Sequence, residues 1–349
     1  MKHDAQLTLY ATEDGVPITT HSMLKCMAQC PRQTLYKYHD RLKPRVQPNA
    51  LKRGVWLHEL LEAYYKGDDW TEVHKRNCAE FDRLFDEEKE KLDDLPVILA
   101  NLMRSYLWHY QEDADWEVLE VESSLDVELP GDMGIYRCRV DCLVETPYGI
   151  YIVDHKSHRV LPDLSFRLRD AQSALYIWAY RKAGINVQGF IWNYLRYIEP
   201  RPVKFNLNGS MSKRQGVTDY PTAYKSIKAQ GHEPKDFRDF LMPLRRQRYK
   251  HGAPQTSPFF QRSVIEKSDG LLDNVLATSL HTARRMHSYP FDDRAAVERN
   301  VGRHCDWCSY KDLCTTELFN GNADLARRVF KVGDPLDYYQ DQKEVVSNG

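Results

Sequence analysis

The chain has 349 residues, 42% of them apolar and 11% aromatic, enough to bury a large core and too long for one average domain. Lys and Arg (49) nearly balance Asp and Glu (50), which excludes a uniformly basic surface, so any nucleic-acid groove has to be local. No stretch approaches the roughly 18 uninterrupted apolar residues of a membrane helix, and the first fifteen residues lack the apolar run of a secretion signal; a cytoplasmic protein (of a cell, or of a phage host) with no membrane contact and reduced cysteines is expected.

Taken in chain order, residues 1–19 read as an extended lead-in. "THSMLKCMAQCPRQTLYKYHDRL" (20–42) predicts a helix, a proline-marked break after Cys30, and a second helix. "NALKRGVWLHELLEAYYKG" (49–67) is amphipathic, with Leu57, Leu60, Leu61, Tyr64 and Tyr65 along one side and Gly67 at its end. Two further helices are expected at 70–93 and 96–113, the acidic run at 79–95 forming a solvated face. This makes 20–115 a helical region. The period then changes to two in "WEVLEVESSLDVEL" (116–129), "YRCRVDCLVE" (136–145) and "GIYIVDHK" (149–156). A helix at 165–184, stopped by Gly184, and a strand at 187–197 complete an α/β core over 116–200. Residues 201–258 hold two basic stretches, "MSKRQG" and "RRQRYKHG". A long helix near 266–288 and a cysteine cluster occupy 259–332, and the polar tail 333–349 is expected to be disordered.

The second and third strands carry the chemistry. "TPYG" (146–149) is a turn, so the two runs form a hairpin whose facing residues sum to 295. That register places Asp141 opposite Asp154, with Lys156 two residues further along. Opposed like charges destabilise a hairpin unless something compensates. A divalent cation with hard oxygen ligands, Mg²⁺ or Mn²⁺, is one compensation; the alternative for Asp154 and Lys156 is a surface ion pair at a strand end.

At these residues the sequence resembles the RecB-type branch of the PD-(D/E)XK nuclease superfamily. The matching motifs are the aspartate strand "RVDCLVE", the D-x-K strand "VDHK", the helix motif "QSALY" (Gln172 to Tyr176) and the upstream "GVWLH" (Gly54 to His58). The resemblance implies a restriction-endonuclease-like core, a mixed central sheet flanked by helices. It implies that His58, Asp141 and Asp154, with the backbone carbonyl of His155, bind a catalytic Mg²⁺ or Mn²⁺. Lys156 would be the catalytic lysine, and Gln172 and Tyr176 would position DNA or that lysine. Glu122, in the first strand, is a further acidic candidate. The activity implied is that of a metal-dependent deoxyribonuclease using a metal-activated water, most simply an exonuclease on DNA ends or single strands. A structure-specific endonuclease or nickase, and a non-catalytic DNA-binding subunit, are the alternatives.

"CDWCSYKDLC" spaces Cys305, Cys308 and Cys314 as C-x2-C-x5-C, three corners of a metal centre that wants a fourth. Cys30, in "QCPRQ", is the better candidate for that corner and Cys26 the other. The arrangement resembles the iron–sulfur subgroup of RecB-type nucleases, the CRISPR-adaptation exonucleases and the AddB helicase–nuclease subunit. That resemblance implies a structural 4Fe–4S cluster and suggests recombination, repair or CRISPR-adaptation proteins as partners, without choosing a pathway; a Zn²⁺ site of four cysteines remains the alternative. Cys78, Cys138 and Cys142 read as core cysteines. In the basic stretch, Arg245, Arg246, Arg248 and Lys250 are candidates for phosphate contacts and Tyr249 for stacking on a base, against the simpler reading of a solvated face.

Overall fold

In the computed structural model, residues 9–46, 48–111, 116–163, 165–250 and 255–339 are described. A two-residue strand β1 (Ile18–Thr19) leads into α1 (His21–Gln29), whose N-cap Thr20 accepts from the Met23 amide. Pro31 opens α2 (Pro31–Thr34), which runs into a π-turn at Leu35–His39. Strand β2 (Leu42–Pro44) precedes α3 (Asn49–Lys66), which ends on left-handed Gly67. The span 70–93, expected as one helix, is instead α4 (Trp70–Asp82) and α5 (Asp86–Leu92). The reason is electrostatic. Asp86, Glu87 and Glu88 would oppose the dipole at the end of a long helix and favour it at the start of a new one. Helix α6 (Leu95–His109) follows.

The period-two runs become β3 (Glu117–Glu128), β4 (Ile135–Thr146) and β5 (Gly149–His158). Helix α7 (Ala171–Lys182) crosses to β6 (Val187–Arg196), which pairs parallel with β5. The sheet extends beyond the 116–200 core expected from sequence. Strand β1 joins β4 from the amino-terminal side, and β7 (Phe260–Glu266), which the sequence reading did not resolve, pairs antiparallel with β6. Gly189 makes that pairing possible: a Cβ there would lie 2.6 Å from the Ile265 carbonyl oxygen. The sheet order is β1-β4-β5-β6-β7, with β3 on the far edge of β4. This mixed sheet with helices on both faces is the restriction-endonuclease-like architecture. β5 and β6 are buried on both faces, which is why they read as continuous apolar runs.

Between β6 and β7 the chain builds α8 (Tyr220–Ala229) and α9 (Arg238–Arg246) around a small core of Val203, Ala223, Ile227 and Leu241. After β7 come α10 (Asp269–His287), α11 (Lys311–Leu318), α12 (Ala323–Arg327) and β8 (Phe330–Val332). β8 pairs with β2, tying the carboxy-terminal part to the amino-terminal helices. The tail expected to be disordered from residue 333 is ordered and packed through Tyr339, with Leu336 buried in the cluster around Tyr36 and Phe330. Residues 340–349 lie outside the described residues. Among the described residues, no helix is long and apolar enough to cross a membrane.

Candidate active site

The β4–β5 hairpin keeps the register expected from its turn, from Thr146↔Gly149 to Cys142↔Val153. Beyond that pair the two strands part. The far edge of β4 is taken by β3 throughout, so β1, which pairs with Ile135 and Tyr136, must occupy the edge that β5 has left. Asp141 and Asp154 sit where the strands diverge. Asp141 Oδ2 accepts from the His155 amide at 2.6 Å, a side chain completing the ladder where backbone pairing stops. The alternation of β4 also slips here: Tyr136, Cys138 and Val140 pack in the main core, and so does Leu143.

Three elements converge on this divergence. From α3, His58 Nδ1 lies 3.5 Å from Asp141 Oδ2. From α7, Gln172 Nε2 donates to Asp154 Oδ1 at 2.9 Å. On β5 itself, Lys156 Nζ contacts Asp154 Oδ2 at 2.5 Å, without the alignment of a hydrogen bond, so this buried oxygen has no hydrogen bond of its own. From β3, Glu122 faces Asp141 with a backbone φ of 52°, a left-handed conformation uncommon for a non-glycine residue. One ligand atom each from His58, Glu122 and Asp141 lie within 4.8 Å of one another. Glu122 is buried, and its Oε2 accepts from Arg139 Nε and from the Tyr338 hydroxyl, both at 2.9 Å.

A family model of the PD-(D/E)XK nuclease superfamily matches residues 19–315, most of the chain. The chain belongs to the PD-(D/E)XK nuclease superfamily. Two solved structures are similar over most of their length. One is a candidate exonuclease of Eubacterium rectale, 15% identical, with 83% of this chain and 86% of that one covered and a TM-score of 0.43. The other is SSO0001, 12% identical, with 87% and 88% covered and a TM-score of 0.35. No curated protein matches the chain.

In this PD-(D/E)XK chain, burial works against every charge in the site, and neighbours decide which survive. Burial alone would depress His58, but the Asp141 carboxylate raises it to about 9. Asp141 overcomes its own desolvation through His58, His155 and Lys156 and stays well below the usual carboxylate range. Asp154 goes the other way: desolvation lifts it to about 6, Lys156 opposing and Asp141 adding to the rise. Glu122 is lifted too, by burial and then by Asp141. Lys156 is raised despite burial, because Asp154 and Asp141 face it. The site therefore crowds three carboxylates together, and Asp141 adds to the rise of both Asp154 and Glu122. That crowding and the His58–Glu122–Asp141 group fit a hard divalent cation.

The motif residues fall into three groups. His58, Asp141, Asp154, Lys156 and Gln172 come together. Tyr176 is buried in the main core beside Phe190, one turn beyond Gln172. The His155 ring turns away, stacked on Tyr65 at 5.3 Å and bonded through Nδ1 to Asn193 at 2.8 Å, and burial lowers it to about 3. The structure adds Arg139 and Tyr338, which the motifs did not point to, and brings Glu122, an extra candidate in the sequence, together with His58 and Asp141 in a group that could hold a metal ion.

Cys30 caps α2, and its neighbour Arg32 donates its amide to Glu298 O, while Asn300 reaches back to Gln29 O. These bonds hold the Cys30 segment against the stretch preceding Cys305. Cys308 is half-buried and feels Cys30, Cys305 and Cys314. Cys26 is buried and feels Cys30 and Cys308. In the basic stretch, Arg245 and Arg246 are exposed at the end of α9, and Arg248 donates to Gln111 at 3.0 Å. Lys250 is exposed. The Tyr249 ring is half-buried between Tyr110, at 5.2 Å, and the Arg262 guanidinium, at 5.3 Å.

Proposed function

We propose that the chain is a Mg²⁺- or Mn²⁺-dependent deoxyribonuclease of the RecB-type branch, acting on DNA ends or single strands. The observation that carries the reading is the pair Asp141 and Asp154, splayed at the hairpin's end beside a lysine held on the second of them. His58, Glu122 and Asp141 are the residues that would hold the ion, with Asp154 beside them. When bound, the ion supplies Lewis-acid charge to the phosphate oxygens. Gln172 fixes one oxygen of Asp154, and Asp154 in turn holds Lys156. Because its neighbours raise Lys156, it stays protonated near neutral pH. Its part is that of a cation for the charge building on the phosphate, not of a base. Tyr176 supports α7 from within the core and so keeps Gln172 in place.

In this reading Cys30, Cys305, Cys308 and Cys314 hold a structural 4Fe–4S cluster that staples the amino-terminal helices to the carboxy-terminal region. It is supported by the bonds that bring the two segments together. A structural Zn²⁺ held by the same four cysteines is the alternative.

The test compares end-labelled single- and double-stranded DNA with Mn²⁺, using anaerobically purified protein and Lys156→Ala. Shortening from the ends by the parent chain, lost in the variant, is expected. Internal cuts would make it an endonuclease, and no cleavage would leave a DNA-binding subunit. A colourless, zinc-loaded preparation would replace the cluster.

A further inference from the structure

The segment between β6 and β7 is charged unlike the rest of the chain. Residues 201–250 contain twelve Lys and Arg against four Asp and Glu, in a chain that as a whole has 49 basic and 50 acidic residues. Of the four acids, Asp219 is buried as the cap of α8, accepting from the Thr222 amide and from Ser105 of α6. It fastens the segment to α6 and offers solvent no charge to offset the basic residues.

At this junction three aromatic rings form a row. Trp108 of α6 stacks on Tyr220 with centroids 5.5 Å apart and planes 20° from parallel. Tyr220 adjoins Tyr224, one helical turn on, at 5.8 Å. Cations flank the row: Arg245 lies 6.0 Å from the Tyr220 ring and Lys228 5.2 Å from the Tyr224 ring. Tyr224 is 37% exposed, and Trp108 and Tyr220 are half-buried. Tyr220 packs against the edge of the α8 core of Val203, Ala223, Ile227 and Leu241, whereas Tyr224 lies outside that core and has no packing role there to explain it. A row of rings edged by cations is what unpaired bases need, since every base has a face to stack and every linkage a phosphate to neutralise. Duplex DNA hides its base faces and would use the cations alone.

We infer that Trp108, Tyr220 and Tyr224, with Lys228 and Arg245, form a binding surface for single-stranded DNA on the β6–β7 segment. This rests on the deoxyribonuclease reading for the choice of DNA, and it moves the base contact away from Tyr249, whose ring is packed against Tyr110 and Arg262. The surface hangs on α6, whose Tyr106 hydroxyl bonds Asn193, the partner of His155. A strand held there is thus anchored to the frame of the candidate site.

The experiment measures binding of a fluorescent oligothymidylate by anisotropy in EDTA, so that hydrolysis plays no part. An equal-length duplex and oligouridylate are the comparison ligands. Tyr220→Ala and Tyr224→Ala are each expected to weaken oligothymidylate binding on the order of tenfold. Lys228→Ala should lower the salt slope by about 0.7. Tyr224 is exposed, so its variant keeps the test sound if Tyr220→Ala fails to fold. Unchanged affinity in both Tyr224→Ala and Lys228→Ala overturns the proposal. So does tighter binding of duplex than of single strand, or binding of oligouridylate in place of oligothymidylate. Because the measurement needs no metal, tyrosine-dependent binding by a chain that never cuts DNA would sink the nuclease reading and leave this surface standing.

Discussion

The Asp154 wall of the site is assembled from one stretch of chain, Asp154, Lys156 and Gln172, on a strand and the helix that follows it. The Glu122 wall takes Glu122 from β3, Arg139 from β4 and Tyr338 from the carboxy-terminal tail. The first wall is held by a paired strand and a capped helix. The second holds Glu122 at positive φ and depends on docking of a segment some two hundred residues away. Such a conformation costs on the order of 1–3 kcal/mol and persists only where surroundings enforce it. One wall is therefore rigid by local construction, and the other is adjustable, its geometry set by what docks on it.

If the local wall carries the chemistry, its variants should show the largest losses. Lys156→Ala and Asp154→Asn are expected to lower the Mn²⁺-dependent rate on linear DNA by about 10² to 10³, the range for removing a charge aimed at the reacting group. Circular dichroism melting should show both folded. A Lys156→Ala rate within a few-fold of the parent would move the chemistry to the other wall.

His58 bridges the two walls through Asp141, and pH separates their contributions. In the metal-free protein His58 is raised to about 9 by Asp141, with Asp154 assisting and Lys156 opposing. Its pairing therefore stabilises the fold fully below the unfolded value of about 6.5 and is lost as pH rises through 9. Metal binding at His58 must expel that proton, so Mn²⁺ affinity should climb up to about tenfold per pH unit from 7 towards 9. Calorimetric titration of His58→Gln should give a flatter profile. An equally steep one would show that another group releases the proton.

On the distant wall, Glu122→Gln keeps the shape and both hydrogen-bond partners but removes the charge. A drop of about 10- to 100-fold in Mn²⁺ affinity is expected, comparable to losing a close support of a metal site. Equal affinity would reduce the metal group to the residues that the hairpin and α3 supply.

The two walls also differ in how far the sequence discloses them. A turn of four residues and a period of two were enough to place Asp141 opposite Asp154, because strand register is fixed locally. The G-x-x-x-H and Q-x-x-x-Y helices could be joined to that hairpin only through the family pattern. Glu122 was within reach. Centring the β3–β4 hairpin on Gly131 and Asp132 makes facing residues sum to 263 and sets Glu122 opposite Asp141, as the flanking pairs Val121↔Cys142 and Ser123↔Val140 show. Tyr338 was not, since a polar tail carries no periodicity to say where it docks. Strand β7 stayed hidden for a related reason: its buried Arg262 sits under Tyr110 and Trp116, and a charged residue inside a strand pattern reads as solvent-facing.

The smallest expected effect is the most discriminating for the adjustable wall. Tyr338 is half-exposed, its ring lies 4.2 Å from the Arg139 guanidinium, and its hydroxyl shares Glu122 Oε2 with that arginine. Burial and Asp141 both push Glu122 towards its neutral form, so each donor on Oε2 helps to keep it ionised. Tyr338→Phe removes one hydrogen bond to a charged acceptor, worth about 1 kcal/mol at a half-exposed position. Mn²⁺ affinity should then fall about three- to fivefold at the acid end of the range in which the protein stays folded. The deficit should shrink as pH rises and Glu122 ionises without help. A loss independent of pH would mean that the ring only packs against Arg139. A gain in affinity would mean that the hydroxyl competes with the cation for Glu122, and the tail would then be a brake on the site and not its support.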